Sequence, residues 1–437
     1  MTSDMKPVIY QILTRLWPGG GKFSSFDDKA FDYIGKLGVS HIWYTGVIRH
    51  SSGRPYVKGD LGSPYSIEDY YDVNPYLADN CGNRLKEFVE LVERTHKAGF
   101  KVIIDFVPNH VSPDYHDNHG GIPTHPYSDY DWTDTRKIDY SAEGCWSKMA
   151  DTVLFWASKG VDGFRCDMTE LVPSDFLKYL ISKVKETYPS VIFIAEAYSR
   201  DNYRRFVKEI GFDYLYDKCG LYDRLREIAS GRASAREITW NWQFLGDLQP
   251  NMLNFLENHD EQRIASPGFL GNPDLATPLL YTSLLFNTAP FMLYFGQETG
   301  EDGSLDGNGG RTSIFSRTSL PTLEKALAGG ASPLLDRYRK VLKLAATAPA
   351  FQSGKTYDLC YCQNCYTSSP FNPDRHFAFL RSSGSETYLV FANFSGYTAN
   401  MDVLIPYEAK EYLGSPLPES YHVEVAPNGA EVYKISD

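Results

Sequence analysis

At 437 residues, with 42% hydrophobic and 22% charged side chains, the chain is long enough for one large domain and a smaller one. Its formal net charge of -12 and the lack of a basic stripe interleaved with aromatics argue against nucleic acid or an anionic membrane as a partner. No run of about 20 apolar residues offers a transmembrane span.

The opening MTSDMKPVIYQI has no signal-peptide pattern, so the expectation is a cytoplasmic protein, or an exported one whose leader has been removed. The first strand-like run is VIYQI at 8–12. WPGGGKF at 17–23 lacks the G-x-G-x-x-G spacing of a dinucleotide fold and reads as a loop. A helix around 26–37 leads to HIWYTG at 41–46, and RLKEFVELVERTHKAG at 84–99 leads to KVIIDFV at 101–107. A long irregular insert, 108–143, follows; it is rich in His, Asp, Tyr, Pro and Gly, and a loop of that length is either disordered or functional. A helix near 145–159 precedes GFRCD at 163–167, and PSDFLKYLISKVKETY precedes VIFIAE at 191–196. FDYLYD at 212–217, MLNFLEN at 252–258 and APFMLYFG at 289–296 complete eight strands.

Eight strands alternating with helices predict a parallel sheet closed into a (β/α)8 TIM barrel, an α/β fold. The expected barrel spans 1–107 and 144–349, ending with the helix LLDRYRKVLKLAATAP, and 108–143 forms a small inserted domain after strand three. Beyond it, short alternating runs predict a C-terminal antiparallel β-sandwich domain over 350–437. The seven cysteines are too scattered for a disulfide scaffold. Cys360, Cys362 and Cys365 cluster, which leaves open a local disulfide, a metal site short of its fourth ligand, or inert hairpin thiols.

Charged residues gather at the predicted strand ends. Strand three carries Asp105 with Asn109 and His110 just beyond, strand four Arg165 and Asp167, strand five Glu196, and strand seven Asn258, His259 and Asp260. In a barrel these ends converge on one mouth. Arg165 and Asp167 share a strand face, which suits a capping ion pair or a reacting pair equally. Converging carboxylates raise one another's pKa, so one stays protonated while another is charged, as glycosidic cleavage requires. A divalent-metal enzyme and a plain ion network are the competing readings of the same residues.

The ordered motifs DFVPNH at 105–110, GFRCD at 163–167, IAEAY at 194–198 and NFLENHD at 254–260 resemble the four short regions of the alpha-amylase family, glycoside hydrolase family 13. YSIEDYYDVNP at 65–75 and PFMLYFGQE at 290–298 extend the likeness over nearly the whole barrel. The resemblance implies Asp167 as nucleophile, Glu196 as acid and base, and Asp260 as the third carboxylate favouring the distorted sugar. It implies that Arg165 orients Asp167 and keeps it ionised, that His110 and His259 bind the sugar at the cleavage subsite, and that Tyr65 lies under its ring. Asp105 and Asn258 support these groups rather than react. The loop GEDGSLDGNGGRTS at 300–313 is a surface turn or a rim of the cleft with Arg311 or Asn308 reaching substrate.

The chain also departs from the family pattern. Many starch-degrading members carry Lys and His shortly after the nucleophile, where Met168, Thr169 and Glu170 stand here. Members that bind calcium use the asparagine at Asn109 and an aspartate of the inserted domain, near whose position this chain has Lys137; the ammonium can replace the ion, while Asp134 or Asp139 remain alternative ligands. No cofactor is required by this reading, and structural calcium stays open. The expected activity is retaining hydrolysis of α-1,4-glucan or maltooligosaccharides by a monomer. A transglycosidase, an α-1,6 or α-glucosidase specificity, and an inactive carbohydrate-binding barrel are the alternatives.

Overall fold

The computed structural model describes residues 6–306, 308–364 and 370–436. Cys365 lies outside these residues, and Cys360 and Cys362 are free thiols. The eight expected strands close into one barrel in chain order: β1 Val8–Leu13, β2 His41–Thr45, β3 Lys101–Phe106, β4 Gly163–Cys166, β5 Ile192–Ala195, β6 Tyr214–Tyr216, β7 Met252–Phe255 and β8 Phe291–Tyr294. All neighbours pair in parallel, and β8 returns to β1 through Val8↔Phe291.

Alternation along each strand divides the core in two. Ile9, Trp43, Ile103, Ile194, Leu253 and Met292 fill the barrel interior, whereas Phe164, Cys166 and Phe193 face the surrounding helices. At the tight base of β4 only glycine fits: a Cβ on Gly163 would stand 2.6 Å from Ile192 Cγ1 and 3.2 Å from Ile103 Cγ1. The helices Arg84–Lys97, Cys145–Ser158, Ser174–Thr187 and Pro333–Thr347 match the amphipathic runs in the sequence and bury one face each against the strands.

A hairpin of Ile48–His50 and Ile67–Val73 follows β2, an element the sequence pattern does not signal because it is short and bulged. The insert after β3 is ordered by a two-residue ladder, His110↔Lys137 and Val111↔Arg136. The terminal region contains an antiparallel sheet in the order 355–358, 376–382, 387–393, 430–436, and a second pair, Ala399–Leu404 with Ser420–Val425. The strand Ser420–Val425 and the helix Tyr407–Leu413 were not anticipated; the helix starts after Pro406, and the strand buries only Val423 and Val425. Phe286 of the barrel packs edge-on against Phe377 and Phe379 at 4.8 and 5.0 Å, and buried Arg381 donates to Leu285 O at 2.8 Å. Among the described residues, no helix is long and apolar enough to cross a membrane.

Candidate active site

The strand ends place the charged residues by register. Asp105 pairs with Arg165, and Arg165 with Ile194, so β3, β4 and β5 end level with one another. The ladder continues one residue past β4 and β5: Asp167 N–H donates to Phe106 O at 2.9 Å and Glu196 N–H to Cys166 O at 3.0 Å. Both carboxyls therefore hang from hydrogen-bonded backbone rather than from free loops.

Arg165 is the centre of this cluster and is fully buried. Its Nη1 donates to Asp167 Oδ1 at 2.5 Å and lies 3.8 Å from Asp105 Oδ1. Its Nη2 is 3.0 Å from Glu196 Oε1, an ion-pair contact that is not aligned as a hydrogen bond. Its Nε donates to Tyr216 OH at 3.2 Å, and the guanidinium sits 5.2 Å from the Tyr65 ring centroid and 5.7 Å from that of Trp43. Arg165 lowers the Asp167 carboxyl by its charge and its hydrogen bond, as expected, but does not set the net direction. Burial raises the Asp167 carboxyl well above that range; Arg165 opposes the rise, while Glu196 and Asp260 add to it. One guanidinium cannot offset the desolvation of a carboxyl that faces two further acids.

Asp105 is a buried anchor rather than a reacting group. Trp43 Nε1 donates to its Oδ2 at 3.3 Å, Gly46 N–H to the same oxygen at 3.2 Å, and Tyr65 OH to Oδ1 at 3.3 Å. Tyr65 stacks on His259 with ring centroids 5.3 Å apart, and its hydroxyl is 2.6 Å from His259 Nε2. The Gln11 amide nitrogen lies 2.8 Å from His259 Nδ1, and His259 Nε2 faces both Tyr65 OH and Asp260 Oδ2, the latter 3.1 Å away.

Asp260 is the open member of the trio, its side chain 43% exposed. The surrounding cleft works to raise its pKa, but His259, Arg165 and Arg311 overcome this and bring it to about 2. Asn258 Oδ1 accepts from the N–H groups of Asp260 and Glu261 at 2.9 and 3.0 Å, which fixes the turn beyond β7. Arg311, exposed on the 300–313 loop, donates from Nε to the backbone oxygen of Asp260 at 2.8 Å, so that loop closes onto the site.

His110 is buried, with the Trp132 ring edge-on at 5.2 Å. Burial pulls its pKa down to about 4 against the carboxylates of Asp134 and Asp129, leaving a neutral imidazole near pH 7. Next to it, Asn109 Nδ2 donates to Asp129 Oδ2 at 2.9 Å, and Lys137 Nζ reaches the two Asp129 oxygens at 2.8 and 3.0 Å. Asp134 pairs with Lys58 at 3.2 Å, and Asp139 accepts from Ser141 N–H at 3.0 Å. The Lys137 ammonium thus neutralises the Asp129 carboxylate beside Asn109, whose Oδ1 is buried without a hydrogen-bond partner.

Every candidate residue except Asn308 is accounted for by these contacts. The sequence reading missed Gln11, Trp43, Tyr216 and Tyr198. Gln11 is the one polar residue of VIYQI, a signal that was available; Tyr216 and Trp43 read as ordinary core aromatics. Tyr198 hydroxyl donates to Glu196 Oε1 at 2.6 Å.

The family sequence model described as alpha amylase, catalytic domain, matches residues 27–137 and 126–320. The chain belongs to the alpha-amylase family. Its likeness to an alpha-1,4-glucan:maltose-1-phosphate maltosyltransferase of Cereibacter sphaeroides is 28% identity over 264 residues, 51% of this chain and 42% of that protein. Alpha-amylase MalA of Haloarcula japonica is 27% identical over 320 residues, 68% of this chain and 45% of that one. The chain thus matches less than half the length of these relatives. Among solved structures, an alpha-amylase from Geobacillus thermoleovorans complexed with acarbose superposes with a TM-score of 0.76 at 21% identity, covering 100% of both chains. The maltogenic alpha-amylase AmyB of Thermotoga neapolitana gives 0.72 at 24% identity, over 98% of this chain and 96% of that one. These two structures share the family's fold with the present chain.

Proposed function

We propose that this alpha-amylase-family chain acts on α-1,4-linked glucans or maltooligosaccharides with retention of the anomeric configuration. Asp167 attacks the anomeric carbon as Glu196 protonates the departing oxygen, giving a β-glycosyl-enzyme. Glu196 then takes a proton from the incoming hydroxyl, and the α-linked product forms. Asp260, His110 and His259 hold the sugar hydroxyls, with Tyr65 beneath the ring. The observation that carries this reading is the single Arg165 guanidinium in contact with both Asp167 and Glu196. One planar group reaching both carboxyls favours the close spacing of about 5–5.5 Å of retaining enzymes over the roughly 6.5–9.5 Å of inverting ones.

The finer reading is transfer of the glycosyl unit to a sugar hydroxyl. Several relatives, from Cereibacter sphaeroides, Pseudomonas aeruginosa and Myxococcus xanthus, bear the name of a maltosyltransferase. Besides Arg165, the acid/base is contacted by the Met168 N–H and the Tyr198 hydroxyl. Hydrolysis is the second reading, supported by the likeness to alpha-amylase MalA. Incubation with maltooligosaccharides, alone and with maltose 1-phosphate as donor, separates the two. Products longer than the starting sugar support transfer; shortening alone supports hydrolysis; no reaction with either overturns both.

A further inference from the structure

The three residues after the nucleophile all turn toward Glu196 or toward its strand end. Met168 adopts a left-handed backbone, φ 47° and ψ 41°, which is uncommon for a non-glycine residue and concentrates at functional sites. That turn aims its N–H at Glu196 Oε2, 2.8 Å away. Thr169 Oγ1 donates to the Glu196 backbone oxygen at 2.6 Å. The Glu170 carboxylate accepts from Tyr198 N–H and Ser199 N–H, each at 3.0 Å, and from Asn202 Nδ2 at 3.3 Å. Tyr198, fixed in this way, donates its hydroxyl to Glu196 Oε1.

We infer that Tyr198, held by Glu170, is a positioning residue that sets the direction in which Glu196 presents its proton. The inference rests on the retaining reading above and deepens it. A terminal carboxyl torsion is broad on its own, so its plane must be fixed from outside. Here one directed donor acts on each oxygen: Met168 N–H on Oε2 and Tyr198 O–H on Oε1. The Arg165 contact to Oε1 is not aligned as a hydrogen bond, so it adds charge but little direction. Losing the tyrosine donor frees the carboxyl to rotate toward Arg165 and away from the glycosidic oxygen. Met168, Thr169 and Glu170, where many family members carry Lys and His, thus form a brace for the acid/base.

The test compares Tyr198→Phe and Glu170→Gln with wild type on two probes, maltohexaose and α-maltosyl fluoride. The sugar leaving group needs a proton to depart; fluoride needs little acid help. Tyr198→Phe is expected to lower kcat/KM on maltohexaose about 10- to 100-fold, the value of a hydrogen bond to a charged group, and to leave the fluoride within about threefold. Glu170→Gln is expected to fall the same way by a smaller factor, and thermal melts identify a variant that has merely unfolded. Equal losses on both probes, or none on either from folded variants, overturn the inference while leaving the retaining reading intact. Wild type inactive on both probes overturns that reading, and the inference with it.

Discussion

Replacing Arg165 with Met removes the only cation facing Asp167 and Glu196 at ion-pair distance among the described residues while keeping much of the side-chain volume. Arg165 is fully buried and contacts Asp167 at 2.5 Å, Glu196 at 3.0 Å and Asp105 at 3.8 Å. Breaking a buried ion pair by removing one partner costs about 3–5 kcal/mol, because a charge is left without compensation. The acids can escape that cost by taking up protons. In wild type burial already raises Asp167; without Arg165 it rises further. A carboxyl with a folded pKa above its unfolded value stabilises the fold below the unfolded pKa, and that contribution is lost as pH climbs through the folded one. The variant's deficit should therefore be largest near pH 7.5 and should shrink near pH 5. Each carboxyl that stays protonated across those 2.5 pH units in the variant alone recovers up to about 3 kcal/mol. Urea denaturation at the two pH values measures this. A deficit that is equal at both, or larger in acid, would refute the electrostatic account and assign Arg165 a packing role.

Asp167→Asn keeps the shape and removes the nucleophile, and should cut turnover by more than about 10⁴-fold in a steady-state assay while leaving the melting temperature close to wild type. Because Lys137 neutralises Asp129, exhaustive chelation with EDTA should change neither the melting temperature nor turnover; a fall of several degrees restored by calcium would contradict the lysine-filled site. Burial brings His110 down to about 4, and burial with the Arg15 charge brings His50 down to about 3. With folded values below the unfolded 6.5, each contributes stability that is complete above pH 6.5 and drains away as pH falls toward 4. About 3 kcal/mol is at stake for each. Melting temperatures measured from pH 7 to 4 should fall steeply, and less steeply in His50→Gln; a flat profile would count against buried neutral imidazoles.

The barrel was legible because each of its strands is a short apolar run bounded by helices of clear periodicity, and closure follows from eight such units. The candidate site was legible because register carries its charged residues to one mouth: Asp105, Arg165, Asp167 and Glu196 sit at adjacent strand ends. What the sequence could not show was the balance of forces within that cluster. Spacing suggests that Arg165 lowers Asp167, and it does, yet burial raises the carboxyl by more, and burial is a property of the folded cleft. Nor could it show Glu170 reaching Tyr198, since the two are 28 residues apart and meet only when β4 and β5 pair. The terminal strand Ser420–Val425 escaped for a different reason: only two of its side chains are buried, so its alternation is faint.

The central claim is that a glycosyl unit becomes bonded to Asp167. The most direct measurement is mass spectrometry of peptides from protein quenched during turnover of a 5-fluoro-α-glucosyl fluoride, whose ring fluorine slows breakdown of the intermediate more than its formation. The account predicts one added fluoroglucosyl unit on the peptide containing Asp167, absent from the Asp167→Asn protein. A label on any peptide lacking Asp167, or products of β configuration from unlabelled enzyme, would contradict it.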